Sequence, residues 1–136
     1  MDRTRTGVDP PGRYRMGIRN FKDTKTFKLA YEQAMDVFRI SKCFPPEEKF
    51  SLTAQVRKSS RSVCANFAEA YRKKIYPAHF VLKITDSDAE NSETGVWFCF
   101  AKDCGYITHE QLVKLMNRNE EIGRLLNHMI NNPEKY

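Results

Sequence analysis

The chain of 136 residues has no apolar run approaching the ~20 residues that span a bilayer, so no membrane is expected among its partners. Its N-terminus lacks an apolar signal-peptide core, and the expected compartment is cytoplasmic. Four cysteines are present, Cys43, Cys64, Cys99 and Cys104, but no Cys-x-x-Cys or Cys-x-x-His pair. The spacing of a zinc site is therefore missing, and the thiols read as small apolar side chains in a reduced core. No Gly-rich phosphate loop and no Gly-x-Ser-x-Gly elbow occurs. A di-iron bundle needs Glu-x-x-His motifs. Here Glu90-x-x-Glu93 is present, but His79, His109 and His128 have no glutamate three residues before them. A Cys–His pair arising by folding from Cys64 or Cys99 has no local support. These absences point away from an enzyme and imply no catalytic residue, metal or cofactor.

What the chain does have is charge and helical periodicity. Its net charge is +6, unevenly placed. Residues 1–22 carry six Lys/Arg against two Asp, a surplus of four, which leaves only two for the other 114 residues. Residues 1–20 hold Pro10, Pro11 and three glycines and read as a disordered basic arm, with phosphate contact as the sharper alternative.

The folded part is expected over 21–136, as four helices. The first runs from about 24 to 44, with Phe27, Tyr31, Ala34, Phe38 and Ser41 at helical spacing. Pro45-Pro46 stops it, and Pro46 opens the second, with Glu47 and Glu48 at its positive end. In that helix, over about 46–74, Leu52, Val56, Val63, Phe67 and Ala70 fall within an arc of roughly 60°. Arg57, Lys58, Arg61, Arg72 and Lys73 lie on the other side within roughly 160°, so one face is core and one is basic. Pro77 opens a third helix that ends near Cys104, with Gly105 as its C-terminal cap. The fourth, over about 109–131, starts at a Thr108–Gln111 capping box and repeats Leu112, Leu115, Asn119, Ile122, Leu126 and Met129. No stretch reads as a strand. Four helices with short connections imply an all-α, antiparallel up-down-up-down bundle.

On the third helix, Leu82, Ala89, Trp97, Phe100, Ala101 and Cys104 define the expected apolar face, and Asp86, Glu90 and Glu93 fall inside its arc. A carboxylate buried alone costs several kcal/mol, so these three need partners. Arg57, Arg61 and Arg72 are the natural ones, because a guanidinium fork holds a carboxylate at two points. The structural reading is a charged layer between helices two and three, within one subunit or across a subunit contact. The functional reading is an acid site for a metal.

The stretch from Ser62 to Arg72, Ser-Val-Cys-Ala-Asn-Phe-Ala-Glu-Ala-Tyr-Arg, resembles the Ser-x-x-x-Asn-Ile-Ala-Glu-Gly signature of a four-helix bundle family. Its members were first noticed as reading frames in intervening sequences of bacterial large-subunit (23S) ribosomal RNA. Gln55-Val56-Arg57-Lys58, Glu90-Asn91-Ser92-Glu93-Thr94 with Trp97, and Ala101 to Ile107 extend the resemblance, which covers about 21–130. The matched positions include Asn66, Glu69, Thr94, Trp97, Gly105 and Tyr106. Ala70 and Phe67 depart from it, where Gly and Ile are usual, and Gly95 sits oddly inside a helix at roughly 1 kcal/mol against Ala.

The resemblance implies a homopentamer around a central channel. It also implies kinship with the basic accessory protein of diversity-generating retroelements, which binds nucleic acid and a reverse transcriptase. The expected function is thus a non-enzymatic homo-oligomeric module that binds RNA or DNA with little sequence preference. The phosphate-contacting candidates are Lys58, Arg72, Lys73 and Lys74, with Tyr14, Tyr71 and Tyr76 as rings that can stack on bases. The alternatives are a protein–protein adaptor whose charges are structural and a metal-dependent enzyme.

Overall fold

The computed structural model describes residues 20–136; the basic arm expected before Asn20 lies outside the described residues. Four helices follow one another: α1 (Lys25–Ser41), α2 (Leu52–Arg72), α3 (Pro77–Asp103) and α4 (His109–Asn131), with no strand among the described residues. Each start has a physical cause. Thr24 caps α1 by accepting from the Phe27 amide at 3.0 Å. Pro77 occupies the first position of α3, where a missing N–H costs nothing. The Thr108–Gln111 box caps α4 in both directions. At the end of α3, Gly105 takes φ 81° and its successor Tyr106 donates to the Ala101 carbonyl at 2.8 Å, so the chain reverses through a left-handed residue.

Two boundaries differ from expectation. α1 stops at Ser41 rather than Phe44, and Pro46–Glu48 forms a single 3-10 turn rather than the start of α2. Glu48 sets the later start. Its carboxylate accepts from the Ser51 hydroxyl at 2.7 Å and the Leu52 amide at 3.2 Å, while its other oxygen accepts from Tyr106 at 2.8 Å. The α1–α2 link is thereby tied to the α3–α4 turn.

Neighbouring helices meet in reverse order, as antiparallel packing requires. Ser59 faces Thr94, and Ser87 donates to the Val63 carbonyl. Across α1 and α4, Lys25 meets Glu121 while Asp36 meets Arg118, and across α3 and α4, Asp88 meets Asn127 while Asn91 meets Asn119. The core divides into two apolar clusters, one around Phe67, Ile84, Ile122 and Leu126, the other around Val37, Val56, Phe98 and Leu115. A buried polar layer separates them. Asn119 donates to Gln33 at 2.9 Å and to the Asn91 carbonyl at 3.0 Å, Asn91 donates to the Asn119 carbonyl at 2.9 Å, and Gln33 donates to Asn91 at 3.1 Å. Each amide finds partners, which is the condition for burial. Gly95 belongs to this layer: a Cβ there would meet Asn119 Oδ1 at 3.0 Å, so close approach explains the helical glycine.

The buried face of α2 matches expectation, with Leu52, Val56, Val63, Phe67 and Ala70 all in the core. That of α3 does not. Of the six residues expected to form its apolar face, only Ala101 is buried; Leu82 is 59% and Phe100 53% exposed. The core side of α3 is instead Phe80, Ile84, Ser87, Asn91, Thr94, Gly95, Phe98 and Ala101. Small and polar residues satisfied inside the bundle hide the helical period from a hydropathy reading. On α1, Phe27 and Phe38 are half-buried and Tyr31 is exposed, because that ridge flanks α2 instead of pointing inward. The cysteines are also not core: Cys43, Cys99 and Cys104 are exposed free thiols and Cys64 is half-buried.

Candidate nucleic-acid interface

The outward face of α2 carries Arg57, Lys58 and Arg61 at helical spacing, and the preceding link adds Lys49 and Phe50. Together they line an open cleft of about 610 Å³ with Thr53, Ala54, Ser62 and Ala65, and no carboxylate lines it. Arg57 is held in place: its Nε donates to the Ser41 hydroxyl at 2.7 Å, and its guanidinium lies 5.0 Å from the Phe38 ring centroid. Phe50 is 85% exposed, with the Lys49 ammonium 5.4 Å from its ring centroid. Three carboxylates elsewhere are engaged with other cations: Glu69 with Lys83 at 2.9 Å, Asp36 with Arg118 at 2.7 Å, and Glu121 with Arg124 at 2.7 Å.

The expected phosphate contacts split into two groups. Lys58 lies in the cleft, whereas Arg72 and Lys73 sit at the far end of α2, about 21 Å along the axis for 14 residues. Lys74 is half-buried and covers the Tyr71 ring at 4.7 Å. Tyr71 packs between Phe67 and Phe80 and is not a free stacking ring; burial first, and then Tyr136, push its hydroxyl up to about 12. Tyr76 is 58% exposed beside His79, with ring centroids 5.5 Å apart. Tyr14 lies outside the described residues. Phe50 and Lys49 were not singled out from the sequence. No signal in the sequence marks Phe50, since Phe44 in the same Pro- and Glu-rich link is buried while Phe50 is exposed.

The charged layer expected between helices two and three does not form within the chain. No ion pair joins Arg57, Arg61 or Arg72 to Asp86, Glu90 or Glu93. Arg57 and Arg61 point toward α1 and solvent, Asp86 meets Lys83 at 3.7 Å, and Glu93 accepts from the Trp97 indole at 3.2 Å. Because the true core of α3 faces the other way, the acid stripe lies on the outer surface beside Leu82 and Phe100 and needs no buried partner. The Glu90 carboxyl is raised from its ordinary value by partial burial and then by Glu93, with Lys58 opposing.

The remaining family-signature positions hold the architecture. Asn66 donates to the Ser62 carbonyl, Glu69 anchors Lys83, and Thr94 meets Ser59 at 2.8 Å. Among the described residues, no three His, Cys, Asp or Glu side chains converge as a metal site requires, and no helix is long and apolar enough to cross a membrane.

A family model described as 23S rRNA-intervening sequence protein matches residues 22–128. A crystal structure of a protein of unknown function from the S23 ribosomal protein family of Bacteroides thetaiotaomicron superposes with a TM-score of 0.70 at 29% identity. The match covers 77% of this chain and 97% of that one. No curated protein matches.

Proposed function

Since the chain belongs to the 23S rRNA-intervening sequence protein family, we propose that it is a non-enzymatic, homo-oligomeric helical module that binds RNA or DNA through the outer face of α2. One observation carries this reading: four cations, Lys49, Arg57, Lys58 and Arg61, line a single cleft without a carboxylate. Such a surface neutralises phosphates and releases their counterions, which yields affinity with little sequence preference. Arg72 and Lys73, at the other end of the same helix, extend the track.

Self-association is supported by two faces of opposite character. The outer side of α3 joins Leu82, Val96 and Phe100 to Asp86, Glu90 and Glu93. The groove between α1 and α2, about 490 Å³, joins Phe27, Tyr31, Met35 and Ala68 to Lys22 and Arg61. One copy's α3 in its neighbour's groove is a head-to-tail contact of the kind that closes rings, and the family resemblance gives five as the expected number. Arg61 then meets acid, while Lys49, Arg57 and Lys58 remain for phosphate.

Fluorescence anisotropy with labelled structured RNA and duplex DNA tests the reading. The expected result is sub-micromolar binding that weakens steeply between about 50 and 200 mM salt and is lost when Lys49, Lys58 and Lys73 become Glu. Flat anisotropy at both salts would remove the nucleic-acid reading and leave a protein–protein adaptor, for which the apolar α1–α2 groove is the docking surface.

A further inference from the structure

We infer that the preferred ligand is a single strand, whose unpaired bases stack on Phe50 at one end of α2 and on Tyr76 at the other. This inference rests on the nucleic-acid reading above and specifies it. A basic track alone binds any phosphate backbone, duplex or single, and needs no aromatic residue. Here the track carries an exposed ring at each end. Phe50 is 85% exposed, the most exposed large apolar residue among the described residues, and lines the cleft with Lys49, Arg57 and Lys58. Tyr76 is 58% exposed and lies two residues after Lys74, past the exposed Ile75.

A duplex keeps its base faces sealed against one another, so a flat ring outside it has nothing to stack on. An unpaired base offers its face to any aromatic side chain, regardless of sequence. The spacing suits a strand laid along the helix. α2 has 21 residues, which is about 31 Å of axis, within reach of the roughly 4–16 nucleotides that single-strand sites engage. Cations near each ring, Lys49, Arg57 and Lys58 at one end and Arg72 and Lys73 at the other, would then hold phosphates, and Arg57, already fixed by Ser41 and Phe38, is pre-positioned for one of them. The chemistry recognised is an unpaired nucleobase on a polyanionic backbone, from either RNA or DNA.

Anisotropy on the full chain tests this with three probes of one mixed sequence: single-stranded RNA, single-stranded DNA and the annealed DNA duplex. Both single strands, or one of them, should bind more tightly than the duplex, and the RNA and DNA arms identify the source. F50A and Y76A should each weaken single-strand binding by about 5- to 150-fold, leaving duplex affinity and salt slope unchanged. Duplex binding equal to or tighter than both single strands overturns the inference. So does an unchanged single-strand affinity in F50A and Y76A while K49E/K58E abolishes binding, a result that keeps the nucleic-acid reading and removes the stacking. No binding of any probe by the unaltered chain removes both. Light scattering on F50A guards the assignment: a lowered oligomeric mass would place Phe50 in a contact between copies and overturn its role as a stacking ring.

Discussion

Gly95 and Gly123 flank the same buried amides, yet a methyl group at each would meet different surroundings. At Gly95 it would reach Asn119 Oδ1 at 3.0 Å, inside ordinary contact, whereas at Gly123 the nearest atom is Asn91 Nδ2 at 3.7 Å. Replacing Gly by Ala inside a helix gains about 1 kcal/mol, and overpacking costs about 1–3 kcal/mol. G95A should therefore lose about 1 kcal/mol of stability in urea unfolding and G123A should gain up to about 1 kcal/mol; a stabilised G95A would mean that the polar layer yields. Thiol reactivity is a second residue-scale outcome. Cys43, Cys99 and Cys104 are exposed, while burial pushes the Cys64 thiol up to about 11. A thiol-disulfide reagent at neutral pH should titrate three thiols quickly and the fourth more slowly. Neither Gly95's role nor the exposure of Cys99 was legible in the sequence, because both depend on which side of α3 faces the bundle, and that side is marked by Ser87, Asn91 and Thr94 rather than by hydrophobic residues.

At the scale of elements, the junction of Glu48 with Tyr106 ties the two connections at one end of the bundle and makes that end pH-sensitive in both directions. The Glu48 carboxyl lies below its ordinary value because Ser51, then Tyr106, then the Leu52 amide donate to its ionised form. Its stabilising share is present above the ordinary carboxylate range and is lost as pH falls through the lowered value. Tyr106 is pushed up to about 12, chiefly by its bond to Glu48. Its share is full below the usual tyrosine range and is lost as pH rises through that raised value. Y106F should flatten the alkaline limb of the stability profile, and E48Q should flatten the acid limb; a profile unchanged by either substitution would show that the junction does not couple the two loops. Much at this scale was legible beforehand. The core faces of α2 and α4, the Thr108 box and the Gly105 cap follow from residue types whose local physics is strong. The start of α2 was not, since Pro46 is equally at home opening a 3-10 turn, and a side chain reached from Tyr106 decides between them. The basic face of α2 was also visible, but its cleft depends on Lys49 and Phe50, which a turn outside the helical period brings alongside.

For the whole molecule, the proposed contact between the acidic, apolar outer face of α3 and the basic, apolar α1–α2 groove makes a testable prediction. L82E and F100E should lower the oligomeric mass measured by light scattering while leaving helical circular dichroism intact; an unchanged mass would place the contact elsewhere. The order in which the chain closes follows from the Gln33–Asn91–Asn119 layer. Most contacts join helices adjacent in the chain, so α1, α2 and α3 can dock one on the next over short loops, a topology that folds rapidly. The seam between α1 and α4 spans far more chain: Gln33 and Asn119 are 86 residues apart, and Asp36 and Arg118 are 82 apart. Closing that loop carries the largest entropic cost of the fold. Until α4 docks, Gln33 and Asn91 lack the Asn119 donor, and a buried amide without its partner is costly. Seating α4 supplies that donor, so the polar layer closes in the same step as the longest loop.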